Sequence, residues 1–168
     1  SLKTLEMFDG LVDIYLPDIK YSDNEIARKY SGAKRYVEIN QAAIFEMFRQ
    51  VGGLEVDGDG SLPAGRQVGR KGLVVRHLVL PNRLAGSFAS LDFLASISKD
   101  ITLSLMAQYH PCYKTKDFPE LDRRLRPAEY EEVVDYAVKM GFRHILTQQL
   151  TSSDYYLPDF EKDAPFAG

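Results

Sequence analysis

The feature that most constrains the fold is the alternation of short apolar runs with amphipathic segments along the chain. The run GLVVRHLVL at residues 72–80 is rich in β-branched side chains and ends at a Pro-Asn pair. Similar runs occupy residues 11–18, 101–108 and 144–148. Strands this apolar are typical of parallel sheets that are covered by helices. The pattern therefore predicts an α/β fold of parallel βα units, as either a barrel segment or a doubly wound sheet.

Helices are predicted around and between these strands from apolar residues at helical spacing. The chain opens with Leu2, Leu5 and Phe8 at that spacing and no capping signal before them. For this reason we expect the sequence to be a fragment whose first half lies upstream. The later helices are expected over 41–51 with Asn40 as N-cap, from Ser87 through Phe88, Leu91 and Leu94, and from Pro127 to a stop at Gly141.

Composition limits the class of protein. The 168 residues are 45% hydrophobic and carry a net charge of −3, which does not indicate a nucleic-acid partner, although residues 114–126 are locally basic. No apolar run approaches the roughly 20 residues that span a bilayer, so no membrane partner is predicted. Cys112 is a single cysteine, which excludes an intramolecular disulfide and predicts a reducing compartment, the cytoplasm.

The chain is predicted to form one domain over residues 1–150, followed by a tail at 151–168. A loop rich in glycine and aspartate interrupts the domain at about 52–72. Within it, the RQVG of residues 49–52 recurs at 66–69, which indicates a duplication or an insertion. A phosphate-binding loop is disfavoured because no Lys-Ser/Thr pair follows these glycines.

An acid and a base follow the first predicted strand. In the segment VDIYLPDIKY at 12–21, Asp18 and Lys20 are two residues apart, so their side chains point to the same face of a strand. The carboxyl ends of strands are where α/β folds carry their sites. The two residues are therefore candidates for binding, and a surface salt bridge is the alternative interpretation.

Two further residues are candidates because of their positions. His110 follows the strand predicted at 101–108 and should reach the same edge of the sheet, where it could move a proton or bind a ligand. Arg76 and His77 should lie on opposite faces of their strand, and the guanidinium of Arg76 suits a carboxylate. A structural role for His110 and a core ion pair for Arg76 are the alternatives. Cys112 alone cannot hold an iron–sulfur cluster.

Several segments occur together in the order of a known family. They cover most of residues 1–145 and read DGLVDIYLPDIKYSD, ARKYS, EMFRQVG, GLVVRHLVLPN, QYHPCYK, FPELDRRL and EYEEVVDYA. As a set they resemble the carboxyl-terminal half of radical S-adenosylmethionine (SAM) proteins of the pyruvate formate-lyase activating enzyme type. The insertion at 62–69 departs from the family pattern, and the family's CxxxCxxC loop would precede Ser1.

The resemblance implies the carboxyl-terminal part of a partial (β/α)₆ TIM-like barrel. It implies an enzyme that uses a [4Fe–4S] cluster and SAM to generate a 5′-deoxyadenosyl radical, with a glycyl radical enzyme as protein substrate. It places Asp18, Lys20 and His110 around SAM and aligns Arg76 with a strand-five arginine of the family, as a fourth cofactor-binding residue. It expects the cluster ligands upstream of residue 1. No catalytic residue or metal ligand is assigned within this chain. Alone, the chain is expected neither to bind a cluster nor to cleave SAM.

Two other functions are consistent with the residues. In the first, the chain is a small α/β enzyme in which Lys20 forms a Schiff base while Asp18 and His110 move protons. In the second, it is a non-catalytic half-barrel module that buries its inner strands against a partner chain. That partner would supply the amino-terminal half of the barrel.

Overall fold

The computed structural model describes residues 1–57 and 68–148 and is built around a five-stranded sheet. Four strands run parallel in the order β1-β3-β4-β5, and the short β2 pairs antiparallel with the start of β3. Strand order therefore follows chain order without a reversal. The strands are β1 Ile14–Tyr15, β2 Glu55–Asp57, β3 Val68–Leu78, β4 Thr102–Met106 and β5 Ile145–Thr147. The predicted α/β fold of parallel βα units is confirmed.

Three long helices cover one face of this sheet. The helices of the described residues are α1 Leu2–Glu6, α2 Asn24–Ser31, α3 Tyr36–Val51, α4 Ser87–Ile97 and α5 Pro127–Met140. Their buried residues include Ile44 of α3, Leu91 of α4 and Val133 of α5, which pack in one cluster with Val75 of β3 and Leu103 of β4. Because side chains alternate along a strand, these contacts identify the odd-numbered residues of β3 and β4 as facing the helices.

The even-numbered residues of β3 and β4 face the other way, and part of this second face is exposed. Leu16 is 56% exposed and Leu146 is 54% exposed. Val74 and Thr102, which lie in the row of Leu16 and one step before that of Leu146, are buried. Parallel strands are normally covered on both faces. The exposed part of this second face, called the open face below, is therefore an unusual surface for a parallel sheet.

A second, smaller apolar cluster lies where the parallel strands end. It joins α2 to the segments that follow β1, β3 and β4, and its buried members are Tyr21, Ala27, Leu80, Ala85 and Leu121. The ring of Tyr30 meets that of Phe118 edge-on at 5.2 Å between centroids. The Tyr109 hydroxyl donates to the Leu121 carbonyl at 2.8 Å. The segment carrying His110 is therefore packed onto the body of the protein.

The first strand is shorter than predicted. The run at 11–18 was expected to be one strand, but regular pairing with β3 covers only Ile14–Tyr15, and pairing resumes at an isolated bridge between Asp18 and Arg76. Pro17 lies between the two and has no N–H to donate to the sheet. Its carbonyl still accepts from the Arg76 amide at 2.9 Å, so the chain stays beside β3.

Helix boundaries differ from the prediction in the region after β1. The helix expected over 41–51 begins at Tyr36, so Asn40 lies inside α3 and is not its N-cap. Helix α2 was not predicted. Asp23 starts it by accepting the amides of Glu25 and Ile26 at 2.7 and 3.0 Å. The first error gave the capping role to Asn40, whereas the helix follows Arg35, a left-handed residue whose side chain makes no cap bond. The second error overlooked the capping oxygen of Asp23.

Two capping predictions were also wrong, and one helix was predicted correctly. Ser1 caps α1 by accepting the Thr4 amide at 3.3 Å, where no cap was expected. Ser87 is the first residue of α4 and not its cap, because its hydroxyl bonds His77 instead. Helix α5 begins at Pro127 as predicted and stops before Gly141, a left-handed residue with φ 84°.

The predicted loop at 52–72 contains strand instead. Its ends form β2 and the first part of β3, which pair antiparallel, while residues 58–67 lie outside the described part of the chain. Gly72 permits this pairing, since its φ is 138° and a Cβ there would lie 2.4 Å from the Leu54 Cα. The predicted tail at 151–168 also lies outside the described residues.

Candidate functional site

A row of polar side chains crosses the open face of the sheet. The strand register pairs Arg76 with Ser104 and Ser104 with Leu146, and the isolated bridge adds Asp18 beside Arg76. Side chains paired across neighbouring parallel strands point to the same face. Asp18, Arg76 and Ser104 therefore stand side by side on that face.

Asp18 is held between two cations. Its Oδ1 accepts from Arg76 Nε at 2.7 Å, and its Oδ2 lies 3.0 Å from Lys20 Nζ. The carboxylate is 26% exposed, whereas the side chains of Lys20 and Arg76 are 49% and 44% exposed. The structure thus brings together three of the four predicted site residues, and we call this arrangement the Lys20–Asp18–Arg76 triad.

The two cations change the acidity of the carboxylate between them. Partial burial by itself would raise the pKa of Asp18, but the hydrogen bonds and charges of Lys20 and Arg76 together lower it below its ordinary value. Asp18 is therefore an anion at neutral pH. The triad carries one negative and two positive charges, so it can meet a ligand that carries both signs.

His77 lies on the other face of β3 and has a different role. It is buried, with Nδ1 2.7 Å from the Ile19 carbonyl and Nε2 2.8 Å from the Ser87 hydroxyl. Because a carbonyl only accepts, Nδ1 carries the proton of the neutral ring and Nε2 accepts from the hydroxyl. Burial lowers the pKa of His77 to about 4. The ring is neutral at pH 7 and links the end of the first strand to α4.

His110 is not joined to the triad by a hydrogen bond or an ion pair among the described residues. It follows β4 at the same edge of the sheet as Asp18, because β1 and β4 are parallel to β3. Its ring is partly buried, and its Nδ1 is enclosed with no hydrogen-bond partner in the described part of the chain. His110 thus has an unused polar atom, and its predicted part in the site stays a prediction.

Sequence reasoning missed two residues that support the triad. The amide of Asn40 donates to the Asp18 carbonyl at 2.9 Å, and the Tyr36 hydroxyl accepts the Lys20 amide at 2.8 Å. Both belong to α3 and touch the backbone rather than the side chains of the triad. Their spacing of four residues, which places them on one helix face, was the available signal.

Other features of the described residues lie apart from the triad. Cys112 is exposed. In residues 1–57 and 68–148, no three His, Cys, Asp or Glu side chains are grouped so that they could hold a metal ion. A groove of about 640 Å³ lies between α1 and α3, with apolar walls that include Leu5, Ile39 and Met47. In the same part of the chain, no helix combines the length and apolar character needed to cross a membrane.

The chain is similar to an uncharacterized protein from Methanocaldococcus jannaschii. The two are 28% identical over 140 residues, which is 83% of this chain and 35% of the archaeal protein. The chain thus spans about a third of the length of this relative. No family model matches the chain, and no solved structure matches it.

Proposed function

We propose that this chain forms the SAM- and substrate-facing wall of a radical SAM enzyme. The observation that carries the proposal is the Lys20–Asp18–Arg76 triad on the open face of a parallel sheet. A charged row on an uncovered sheet face is expected where strands line the interior of a barrel and present side chains to a ligand. The segments that resemble the pyruvate formate-lyase activating enzyme type carry these same residues.

The winding of the chain also supports a barrel. Its parallel strands follow one another in chain order, with α3, α4 and α5 on one face. A doubly wound sheet reverses direction and places helices on both faces, whereas a barrel continues in one direction with its helices outside. We therefore propose that the open face is the inner surface of a partial (β/α)₆ barrel.

The charges of the triad fit the amino-acid end of SAM. Lys20 and Arg76 are the groups that would hold a carboxylate, and Arg76 can donate two parallel hydrogen bonds to it. Asp18 would hold an ammonium or sulfonium centre, or a cation beside it. In this position the triad binds and orients SAM, and Asp18 keeps the two cations in place while no ligand is bound.

The described residues do not fit a [4Fe–4S] cluster, because Cys112 is the one cysteine in the sequence and such clusters are held by several thiolates. The proposal therefore takes the cluster ligands from residues other than these 168, in agreement with their expected position upstream of residue 1. When bound together, SAM and the cluster supply the radical chemistry. The resemblance also suggests a glycyl radical enzyme as the protein substrate.

The test is titration of SAM into the isotope-labelled chain, observed by NMR at Lys20 and Arg76. We expect weak binding, with a Kd of about 1 mM, because only one wall is present. Arg76→Gln should weaken it roughly tenfold or more, since a charged hydrogen bond is lost. Arg143→Gln is the matched control, because Arg143 makes an equally short ion pair with Asp100 at 2.7 Å. Absence of SAM-dependent shifts, or equal effects of both variants, would contradict the proposal.

Two further measurements address the cluster and the Schiff-base alternative. Anaerobic reconstitution of the isolated chain with iron and sulfide should give no cluster, and near-full occupancy would count against the proposal. Borohydride treatment with a panel of carbonyl compounds should trap no adduct. An adduct on Lys20 would favour the Schiff-base enzyme instead.

A non-catalytic half-barrel module is the second candidate. The exposure of Leu16 and Leu146 on the open face favours it, because apolar side chains there would gain from burial against a partner. Sedimentation would decide between the two candidates. A stable dimer or obligate complex that buries the open face and excludes SAM would support the module.

A further inference from the structure

Three backbone groups of residues 18–20 at the triad are each bonded by a side chain. Asn40 Nδ2 donates to the Asp18 carbonyl at 2.9 Å, and His77 Nδ1 donates to the Ile19 carbonyl at 2.7 Å. The Tyr36 hydroxyl accepts the Lys20 amide at 2.8 Å. The sheet adds one more bond to this segment, which the Ile19 amide donates to the Arg76 carbonyl. Side chains from β3 and α3 thus hold residues that regular pairing of β1 no longer reaches.

The first turn of α3 carries the two side chains that bond the Asp18 carbonyl and the Lys20 amide. Tyr36 and Asn40 are four residues apart, so both lie on one face of the helix. Arg35, just before the helix, adopts a left-handed conformation with φ 54°, which is unfavourable for a residue with a Cβ. The ring of Tyr36 also packs edge-on against Tyr21 at 5.6 Å. An otherwise unfavourable turn therefore places Tyr36 against the Lys20 amide.

The stability of the fold does not explain why residue 40 is an asparagine. Its Oδ1 is enclosed and has no hydrogen-bond partner among residues 1–57 and 68–148, and an unpaired buried oxygen costs free energy. An apolar side chain at this half-buried position would avoid that cost. The bond to the Asp18 carbonyl is the contact that an apolar residue would not provide.

We infer that Tyr36 and Asn40 are positioning residues, which hold the Asp18–Lys20 backbone so that both side chains meet Arg76 on the open face. This inference rests on the proposed function for its purpose, because a fixed triad is useful only where a ligand must be oriented. Neither residue needs to touch the ligand. Each acts through the peptide groups that carry the triad.

The test compares Tyr36→Phe and Asn40→Leu with the unchanged chain by NMR. Tyr36→Phe should accelerate hydrogen exchange at the Lys20 amide about fivefold, the effect of losing one ordinary hydrogen bond. The Ile19 amide, which is bonded to β3, should keep its rate. In Asn40→Leu the carboxyl carbon of Asp18 should titrate at a higher pH, because Lys20 and Arg76 no longer meet it as closely.

Tyr15→Phe is the matched control, since the Tyr15 hydroxyl makes an equally short bond to Gln50 at 2.7 Å away from the triad. It should change neither the Lys20 exchange rate nor the Asp18 titration. Equal acceleration at Lys20 and Ile19 would show a general loss of stability and overturn the inference. Unchanged exchange and titration in both variants would also overturn it.

SAM titration of the same samples separates this inference from the proposed function. If the variants loosen the triad but the unchanged chain binds no SAM, the function fails and the positioning role stands. If the unchanged chain binds SAM and Tyr36→Phe binds it equally well with unchanged Lys20 exchange, the positioning role fails and the function stands. Support for both would be a Kd for SAM raised about fivefold in Tyr36→Phe at an unchanged melting temperature.

Discussion

Mild acid should weaken the fold through one buried side chain, His77. The ring is 1% exposed and neutral, and burial lowers its pKa to about 4 from a usual value of 6.5. Between pH 4 and pH 6.5, His77 binds a proton in the unfolded chain but not in the folded chain. The free energy of unfolding therefore rises with pH through this window. The stability that neutral His77 contributes is lost as the pH falls from 6.5 towards 4.

The size of the effect follows from the two pKa values. Each unit of difference corresponds to about 1.4 kcal/mol, so the full window is worth roughly 3 kcal/mol. Glu46, Glu120 and Glu129 also have a lowered pKa, of about 2, but their contribution is lost only as the pH falls below their usual value of 4.5. Between pH 7 and pH 5, His77 should therefore account for a loss of about 2 kcal/mol.

Urea unfolding of the chain at half-unit steps from pH 7.5 to pH 5 measures this loss. His77→Gln removes the titrating ring, so its free energy of unfolding should be lower at pH 7 but nearly constant over this range. His144→Gln is the control, because it is the same substitution at an exposed position. A flat profile for the unchanged chain would refute the reasoning, as would a slope that survives in His77→Gln. If His77→Gln does not fold, the pH profile of the unchanged chain still tests the reasoning.

Two other substitutions test the contacts that shape the sheet and its carboxyl edge. Gly72→Ala should destabilise the protein by about 2 kcal/mol or more in urea unfolding, since φ is 138° and its Cβ would meet the backbone of Leu54. Gly69→Ala should be far milder, because its Cβ would meet only side-chain tips, of Leu54 at 3.2 Å and of Ile14 at 3.5 Å; equal losses would contradict this account. Glu129→Gln should cost roughly 1 to 2 kcal/mol at pH 7, because the carboxylate binds Arg123 through two bonds of 2.7 Å. That loss should shrink near pH 2, where Glu129 itself becomes protonated.

The sequence predicted the sheet better than the loops. The runs at 101–108 and 144–148 each contain an observed strand, and the run at 72–80 covers the second part of β3, because a buried parallel strand needs a continuous apolar run. Helix α5 was found from Pro127 and Gly141, which act through local backbone preferences. Helix α2 and the first turn of α3 were missed. Both depend on polar contacts, such as the Asp23 cap, that apolar periodicity does not register.

For the site, the sequence predicted which residues share a face but not which bonds they make. Asp18 and Lys20 were placed together by strand alternation, and Arg76 and His77 were placed on opposite faces by the same rule. The ion pair between Asp18 and Arg76 joins residues 58 positions apart, and no local pattern could predict its 2.7 Å geometry.

By itself, the sequence determined the βα alternation, the faces of the strands and the presence of an acid and a base at the end of the first strand. These properties depend on neighbours within one turn or one strand, so local chemistry decides them. Only the tertiary structure decided that Asp18 lies between Lys20 and Arg76, that Asn40 and Tyr36 hold the backbone of Asp18 and Lys20, and that part of one face of the sheet is exposed. Those contacts depend on strand register and helix placement, which are set by packing of the whole core.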